Sequence, residues 1–196
     1  MSTPSPSIGK RYTYKDYLQI EDEKRYEVME GGLIMVPTPL TVHQRISRNI
    51  KVILCNFVKE KRLGEVLHAP TDVVLSEDVV VQPDILFISK ERLNIIEEAA
   101  IMGSPDLIVE VVSPFSASYD TIEKRGVYEK HGVKEYWLVF PQEKVVEVLT
   151  LENSIYREFS KARKTGVIRS KVLDGLVMDL TDIFELEGSK RTDSKN

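Results

Sequence analysis

The sequence predicts an α/β or α+β fold in which helices flank a mixed central sheet. Three features predict it: a long amphipathic helix, a series of short runs rich in Val, Ile and Phe after it, and a second helix followed by further strands. The chain has 196 residues, of which 42% are hydrophobic and 30% charged, as in one soluble globular domain. We expect a disordered leader over residues 1–12, a single domain over 13–187 and a polar tail over 188–196.

The long helix is predicted over roughly residues 42–63. Its apolar residues recur at intervals of three and four, as on one face of an α-helix: Ile46, Ile50, Ile53, Leu54, Phe57 and Val58. Thr41 and Gln44 fit a capping box at its start, and Gly64 fits a stop signal at its end. This pattern predicts that one face of the helix packs on the sheet.

The neighbouring elements are shorter. Before the long helix, residues 13–22 can form a helix, and RYEVMEGGLIMVP gives two strand-like pieces around Gly31-Gly32, which predicts a hairpin. After the long helix, EVLHAPTDVVLS, VVVQPDILFIS and DLIVEVVS are predicted strands. A short helix over ERLNIIEEAA is predicted between the second and the third of them.

The last part of the chain combines a helix with further strands. SASYDTIEKRGVYEKHG is a predicted helix that ends at Gly132, and EYWLVF and KVVEVLTL are strands joined by a turn over residues 141–144. IYREFSKARKTGVIRS is typical of another hairpin, and a short helix is predicted around residues 180–186.

Composition excludes several classes of protein. The net charge of −4 gives no overall field that would draw the chain to nucleic acid or to an anionic membrane, so nucleic-acid contact would need a local basic patch. The single cysteine, Cys55, excludes a disulfide framework and a thiolate metal site. Because no apolar run has the length of a membrane span and the first residues lack a signal-peptide core, we expect a cytoplasmic protein without membrane contact.

Two carboxylates lie at unusual places in the predicted strands. Glu110 stands among five aliphatic residues in DLIVEVVSP, where a charge is costly unless it is paired, bound to a metal or near a strand end. Asp84 follows Pro83 and opens an apolar run, so it lies at a strand entrance. Taken singly, Glu110 also fits a strand-end salt bridge to an exposed Lys or Arg, and Asp84 fits a turn.

Taken together, the two carboxylates indicate a metal site. If their strands are neighbours, the carboxylates repel each other, and a divalent cation removes the repulsion. Oxygen ligands of this kind suit Mg²⁺ or Mn²⁺. The three histidines, His43, His68 and His131, lack the spacing of a zinc site.

The helix after Glu110 adds a cation. Asp120, Lys124 and Tyr128 are spaced by four and share one helix face. Either Asp120 and Lys124 form a solvated ion pair, or Lys124 projects over the cleft. There it could orient or deprotonate a water molecule, or stabilise charge on a phosphate.

Pro83-Asp84, then Glu110 in an apolar strand, then a lysine resemble the PD-(D/E)XK nuclease superfamily. The usual lysine, two positions after the glutamate, is here Val112. Some branches carry the lysine on the following helix, which makes Lys124 the candidate.

A narrower resemblance rests on four stretches that follow one another in order: RYEVMEGGLIMVPTPLTVHQRIS, GEVLHAPTDVVLSEDVVVQPDILFISKERL, GSPDLIVEVVSP and EKRGVYEKHGVKEYWLVFP. They resemble, over residues 14–185, the bacterial Uma2 family of restriction-endonuclease-like nucleases, common in cyanobacteria.

The resemblance implies a restriction-endonuclease-like fold and names the site. Asp84 and Glu110 would be the metal ligands for Mg²⁺ or Mn²⁺, and Lys124 would be the catalytic cation. Glu27 matches the family's Tyr-Glu pair and would add a catalytic carboxylate near the metal. From the residues alone, Glu27 is equally a surface charge on the hairpin.

Three further residues match motif positions of the family: Gln82, His43 and Asp120. The resemblance implies that they support the metal ligands from outside the coordination sphere. For His43, an ordinary polar residue at a helix start is the alternative interpretation.

Two basic segments are candidates for contact with DNA. The larger holds six cations and one acid, Glu158; the cations are Arg157, Lys161, Arg163, Lys164, Arg169 and Lys171. The smaller comprises Lys59, Lys61 and Arg62. Both also fit ordinary solvated surfaces, and the weak basicity of the chain leaves room for a homodimer that completes a DNA-binding groove.

The sequence therefore predicts a metal-dependent endonuclease that hydrolyses DNA phosphodiester bonds. Two alternatives stay open. Because the usual lysine is replaced by Val112, the chain could be a catalytically degenerate nuclease-fold module that binds nucleic acid or a protein. It could also be a structural or interaction protein in which Glu110 forms an ordinary buried ion pair.

Overall fold

The fold is built from short strands and a few helices. The computed structural model describes residues 9–114 and 116–185. The strands are β1 (Tyr26–Met29), β2 (Gly32–Met35), β3 (Gly64–His68), β4 (Val73–Ser76), β5 (Val79–Val81), β6 (Ile85–Ser89), β7 (Ile101–Met102), β8 (Leu107–Val111), β9 (Glu135–Phe140), β10 (Val145–Glu152), β11 (Ile155–Arg163), β12 (Val167–Arg169) and β13 (Val177–Asp179). The helices are α1 (Tyr14–Tyr17), α2 (Thr41–Lys61), α3 (Arg125–Lys130) and α4 (Leu180–Phe184). In addition, Lys90–Ile95 is a 3₁₀ helix, and Tyr119–Lys124 is a π-helical segment that runs directly into α3.

A six-stranded sheet forms the centre of the domain. Its strand order is β11-β10-β9-β8-β6-β3. β8 and β9 are parallel, and the other neighbours are antiparallel. A second sheet has the order β2-β1-β5-β4-β7, and β12 pairs with β13. This arrangement confirms the predicted α+β class with a mixed central sheet.

α2 covers one face of the central sheet. Its apolar stripe is at most 2% exposed and packs against residues of β6, β8 and β9; the stripe consists of Ile46, Ile50, Leu54 and Val58. Each such side chain contributes about 1.5–3 kcal/mol when fully buried. The spacing in the sequence therefore predicted the packing face of α2 correctly.

The second sheet and the helix after β8 cover the opposite face. Met29 of β1 and Val73 of β4 pack there with Ile108 and Val112. Because side chains alternate along a strand, Glu110 lies on the same face as Ile108 and Val112. Glu110 therefore faces the space between the two sheets.

The ends of α2 differ from the prediction. Its N-cap is Leu40, which makes no side-chain cap hydrogen bond, so the predicted capping box is absent. The helix ends at Arg62, which adopts the left-handed conformation with φ of 55°. Gly64 lies instead in β3, where a Cβ would collide with the carbonyl oxygen of Ile88.

Some predicted strands divide or pair differently. EVLHAPTDVVLS and VVVQPDILFIS each contain two strands that belong to different sheets, with the breaks around Pro70 and Pro83. IYREFSKARKTGVIRS turns back with one isolated antiparallel bridge, Arg163 to Thr165, but forms no hairpin ladder, because β11 pairs with β10 and β12 pairs with β13. The predicted helix over ERLNIIEEAA is reduced to the 3₁₀ helix. The hairpin of β1 and β2 and the turn between β9 and β10 are confirmed.

The predicted leader and tail fall largely outside the described residues, which exclude 1–8 and 186–196. Arg11 and Tyr12, inside the predicted leader, nevertheless contact the domain. Arg11 lies 3.1 Å from Asp78, and Tyr12 is 8% exposed. None of the helices in the described part of the chain has the length and apolarity needed to cross a membrane.

A buried carboxylate lies at the end of the central sheet away from Glu110. Asp106, just before β8, is 1% exposed and accepts a hydrogen bond from the backbone N–H of Ser89 at 2.8 Å. It also forms ion pairs with Lys134 at 2.7 Å and Arg92 at 3.1 Å. Burial opposes its charge, but these partners outweigh burial and hold the pKa of Asp106 below its ordinary value.

We expect Asp106→Asn to destabilise the protein at neutral pH, and the difference from wild type to shrink below about pH 4. A carboxyl with a depressed pKa stabilises the fold above its unfolded-state pKa, and this contribution disappears as the pH falls through its folded-state pKa. Urea denaturation at neutral and acid pH measures the difference, with the exposed Asp174→Asn as control. A difference that stays constant down to the acid limit would contradict this account.

Candidate active site

Asp84 and Glu110 meet at one end of the central sheet. β6 and β8 pair antiparallel with Ile85 opposite Val109, so the register places Asp84, one residue before β6, opposite Glu110. Directly opposite residues of such a pair have Cβ atoms about 4.5–5.5 Å apart on one face. The backbone N–H of Val111 donates to Asp84 Oδ2 at 2.8 Å and fixes that carboxylate beside the strand end. The fold thus brings the two predicted metal ligands together.

Glu110 is buried and paired. It is 4% exposed, and its Oε1 accepts hydrogen bonds from Lys124 Nζ at 2.8 Å and from Tyr128 OH at 2.9 Å. The alternative of a strand-end salt bridge to an exposed cation is therefore wrong. Burial raises the pKa of Glu110 well above its ordinary value; Lys124 opposes this effect, and the carboxylates of Asp84, Asp120 and Glu27 reinforce it.

Lys124 lies between two carboxylates. It is 4% exposed, and its Nζ lies 2.8 Å from Glu110 Oε1 and 3.0 Å from Glu27 Oε1. Burial opposes the charge, but Glu110, Glu27 and Asp120 outweigh it and raise the pKa of Lys124 well above its ordinary value. Lys124 is therefore protonated at neutral pH, and the alternative of a solvated pair with Asp120 is wrong.

A π-helical segment, Tyr119–Lys124, positions the lysine. Such segments widen one helical turn and are frequent at functional sites. Tyr119 OH donates to Glu27 Oε2 at 2.9 Å, while Tyr128, beyond the segment, reaches Glu110. The two tyrosines thus hold the two carboxylates that contact Lys124. The sequence pattern did not identify Tyr119 as a site residue. An aromatic residue four positions before an acid, here Glu123, is common in helices that pack on a core.

Glu27 reaches the site from the second sheet. It lies on β1, is 1% exposed, and its Oε1 accepts a hydrogen bond from the backbone N–H of Gln82 at 2.7 Å. Its alternative interpretation as a surface charge is wrong. The Gln82 side chain accepts from Arg25 Nε at 2.9 Å and donates to Asp72 Oδ1 at 2.7 Å. Gln82 thereby holds Arg25, which sequence reasoning missed, beside the site.

Two more predicted residues complete the cluster. His43 Nε2 lies 3.0 Å from Asp84 Oδ2, so His43 is more than a polar residue at a helix start. Its Nδ1 is buried without a hydrogen-bond partner among the described residues. Asp120 is 5% exposed, and burial raises its pKa to about 6 against the opposing effect of Lys124. The predicted common face of Asp120, Lys124 and Tyr128 is confirmed, since all three are buried.

Most of the side chains of this cluster, though not Tyr128, line one cavity of about 340 Å³. Its charged lining consists of four carboxylates and two cations: Glu27, Asp84, Glu110, Asp120, Arg25 and Lys124. The four acids outnumber the two cations. Burial and the neighbouring carboxylates raise the pKa of Glu110 and Asp120, and a bound cation would relieve the repulsion among these groups.

The donor atoms fit a hard divalent ion. Asp84 Oδ1 and Glu110 Oε2 accept no hydrogen bond from the part of the chain that the structure describes. Mg²⁺ is usually held by one or two carboxylates, completed by water and substrate phosphates. Among residues 9–114 and 116–185, no group of three His, Cys, Asp or Glu side chains forms a ready-made cage. The pair of carboxylates thus fits Mg²⁺ or Mn²⁺ better than an ion that needs an all-protein shell.

The six cations of the larger basic segment lie away from this cavity. Most belong to β11 and β12, and β11 is the edge of the central sheet, three strands from β8. Lys161 pairs with Glu147 at 2.9 Å, and Lys171 pairs with Glu152 at 2.8 Å. Part of the predicted positive charge is therefore neutralised within the protein.

The register also separates these cations. Lys161 pairs with Glu147, Glu147 pairs with Leu138, and Leu138 pairs with Glu110. Lys161 therefore lies on the same face of the sheet as Glu110. Arg157 lies opposite Thr150 and belongs to the other face. The segment does not form a single surface, and its binding to DNA, like a homodimer that completes a groove, stays a prediction.

Comparison with known proteins identifies the family. Residues 14–181 match the model of the Uma2 family, whose description is "Putative restriction endonuclease". The chain belongs to the Uma2 family, as its motifs predicted.

Two relatives agree with this assignment. A crystal structure described as a "putative nuclease belonging to DUF820", from Anabaena variabilis, is similar with a TM-score of 0.73 and 22% identity, over 88% of this chain and 97% of that chain. An uncharacterized protein of Synechocystis sp., sll1609, is 23% identical over 133 residues, which are 66% of this chain and 75% of the relative. The structural similarity confirms the restriction-endonuclease-like fold, and both relatives are cyanobacterial.

Proposed function

We propose that this protein is a metal-dependent endonuclease that hydrolyses DNA phosphodiester bonds, with Mg²⁺ or Mn²⁺ held by Asp84 and Glu110. One observation carries the proposal. The antiparallel pairing of β6 and β8 sets both carboxylates on one face of the sheet, in a cavity that also holds the protonated Lys124. Membership of a family described as "Putative restriction endonuclease" supports the same reaction.

The bound ion would polarise a phosphoryl oxygen and lower the pKa of a water molecule. The chain's own residues set the charge around it. Lys124 donates to Glu110, and its ammonium would stabilise negative charge that develops on the phosphate. Glu27 also contacts Lys124 Nζ, at 3.0 Å, and is a candidate ligand for a second ion.

The orientation of Asp84 comes from two partners. The Val111 N–H and the His43 ring both contact Oδ2, which leaves Oδ1 directed to other ligands. Both partners sit on regular elements, β8 and α2, and this rigidity is what a metal site requires.

The proposal is tested by incubating the full chain with supercoiled and linear DNA. We expect cleavage with Mg²⁺ or Mn²⁺, loss of cleavage with a chelator, and recovery when the metal is restored. Calorimetry with Mn²⁺ alone gives a second readout that needs no substrate. Undiminished cleavage in the chelator, or no Mn²⁺ binding at millimolar concentration, would overturn the proposal.

A second candidate function is a catalytically degenerate module that binds nucleic acid or a protein. The favouring observation is that Lys124 and Tyr128 already occupy Glu110 Oε1. This function predicts DNA or protein binding without turnover, unchanged by Lys124→Ala at a temperature at which the variant is folded. The endonuclease predicts turnover that Lys124→Ala abolishes.

A further inference from the structure

A second cavity lies at the opposite end of the central sheet from Glu110. Its volume is about 540 Å³. It is lined by Ser89, the last residue of β6, whereas Asp84 precedes the first residue of that strand. At about 3.3 Å per residue, β6 separates the two cavities by roughly 15 Å. The second cavity is thus outside the site proposed for catalysis.

A buried hydroxyl lies in its wall without a partner. Thr150 is 2% exposed, and its Oγ1 has no hydrogen-bond partner among the described residues. Buried polar atoms in native proteins are nearly always paired, and an unpaired one is costly. Thr150 is one of the residues that line the cavity, so its unpaired hydroxyl lies at the cavity wall.

Basic side chains surround the same cavity: Arg62, Lys90, Lys134 and Lys171. Two acids, Glu91 and Asp106, also line it. Asp106 is already engaged by Lys134, Arg92 and the Ser89 N–H. The cavity therefore has an excess of positive charge in a chain whose net charge is −4.

Two of these cations come from the two separate basic segments of the sequence. Arg62 belongs to the smaller segment and Lys171 to the larger, and the fold brings both to this cavity. Lys171 forms an ion pair with Glu152. Arg62 and Lys90 form no ion pair within the described residues. Arg62 and Lys90 are thus available to a ligand.

We propose that this second cavity binds a phosphate group. The Thr150 hydroxyl donates to a phosphate oxygen, and the guanidinium of Arg62 and the ammonium of Lys90 bind it by charge-assisted hydrogen bonds. The phosphate belongs either to a nucleic-acid backbone or to a free phosphorylated small molecule, which share this chemistry. The proposal does not depend on catalysis at Glu110.

Calorimetric titration of the full chain with inorganic phosphate and with pyrophosphate tests it. We expect saturable binding that Lys90→Ala and Thr150→Val each weaken about tenfold, which corresponds to about one lost hydrogen bond to a charged group. Lys161→Ala, on the surface of β11 outside the cavity, is the matched control and should bind as wild type. Because Thr150 Oγ1 has no hydrogen-bond partner among the described residues, Thr150→Val should keep or raise the unfolding midpoint of wild type.

Competition identifies the source of the phosphate. Displacement of pyrophosphate by an oligonucleotide without terminal phosphates would assign the cavity to a nucleic-acid backbone. Displacement by phosphorylated small molecules alone would assign it to a free ligand, and either result supports the proposal. Absence of saturable binding at millimolar phosphate and pyrophosphate, or an equal loss in Lys161→Ala, would overturn it.

Discussion

Asp84→Asn is expected to reduce DNA cleavage by about a thousandfold or more while leaving the protein folded, because a bound metal contributes several kcal/mol to the transition state. Asparagine keeps an oxygen that can accept the Val111 N–H, so the strand end keeps its hydrogen bond. It lacks the negative charge that attracts a divalent cation. The measurement is the single-turnover cleavage rate with Mn²⁺, together with the unfolding temperature of each variant.

Glu110→Gln should lose activity to a similar extent, since it also lacks the negative charge that attracts a divalent cation. It should stay folded, because the remaining oxygen of glutamine can still accept hydrogen bonds from Lys124 and Tyr128. Glu143→Gln, in the exposed turn between β9 and β10, is the matched control for removal of one carboxylate charge. Wild-type cleavage rates in both Asp84→Asn and Glu110→Gln would remove the two residues from the mechanism. Loss of cleavage with normal Mn²⁺ binding would show that they act without holding the metal.

The second large effect is expected at Lys124. Lys124→Ala should lower the free energy of unfolding by about 3–5 kcal/mol, because it leaves Glu27 and Glu110 buried without their cation. The loss should shrink as the pH falls, since protonation removes the unpaired negative charges. Urea denaturation over a range of pH measures both effects. Mg²⁺ should raise the unfolding temperature of the variant more than that of wild type, because a cation can replace the ammonium.

Lys130 offers a control on the same helix. Its ion pair with Glu30 is 3.2 Å long and exposed at both ends, so Lys130→Ala should cost less than about 1 kcal/mol. Glu27→Gln combined with Lys124→Ala should recover part of the lost stability, because one unpaired charge is removed with its partner. A Lys124→Ala variant as stable as Lys130→Ala would show that the buried carboxylates do not depend on the lysine.

Local patterns in the sequence predicted elements better than their pairing. The apolar stripe of α2 and the hairpin around Gly31 depend on neighbouring residues, and both are confirmed. The meeting of Asp84 with Glu110 depends on the pairing of β6 with β8, which no local pattern specifies. The resemblance to the family identified these two residues because the family's motifs contain both the Asp and the Glu that this strand pairing brings together.

The basic segment on β11 illustrates what local reasoning misses. Arg157 and Lys161 are an even number of residues apart and would share a face on a regular strand. The register instead passes from Ser160 opposite Val148 to Glu158 opposite Leu149, which leaves Phe159 as a bulge. The bulge reverses the alternation and separates the two cations. A single extra residue in the ladder cannot be recognised from composition.

The lysine shows the same limit on a helix. Spacing by four placed Asp120, Lys124 and Tyr128 on one face, and burial confirms it. The spacing could not show that the turn ahead of α3 is π-helical, because side-chain periodicity barely changes over one turn. The spacing along the helix also could not show that Glu27 contacts Lys124, since Glu27 lies on a strand of the second sheet.

The wide turn also has a consequence for how much sequence change this helix tolerates. Tyr119 donates a hydrogen bond to Glu27 of one sheet, and Tyr128 donates one to Glu110 of the other. The helix therefore fixes the distance and the angle between the two tyrosines. Deleting one residue from the α-helical part between the tyrosines, residues 125–127, would turn one end by about 100° relative to the other. The shortened helix could then serve one carboxylate but not both. Relatives that keep both tyrosines should therefore keep the number of residues between them unchanged, even where the residues themselves differ.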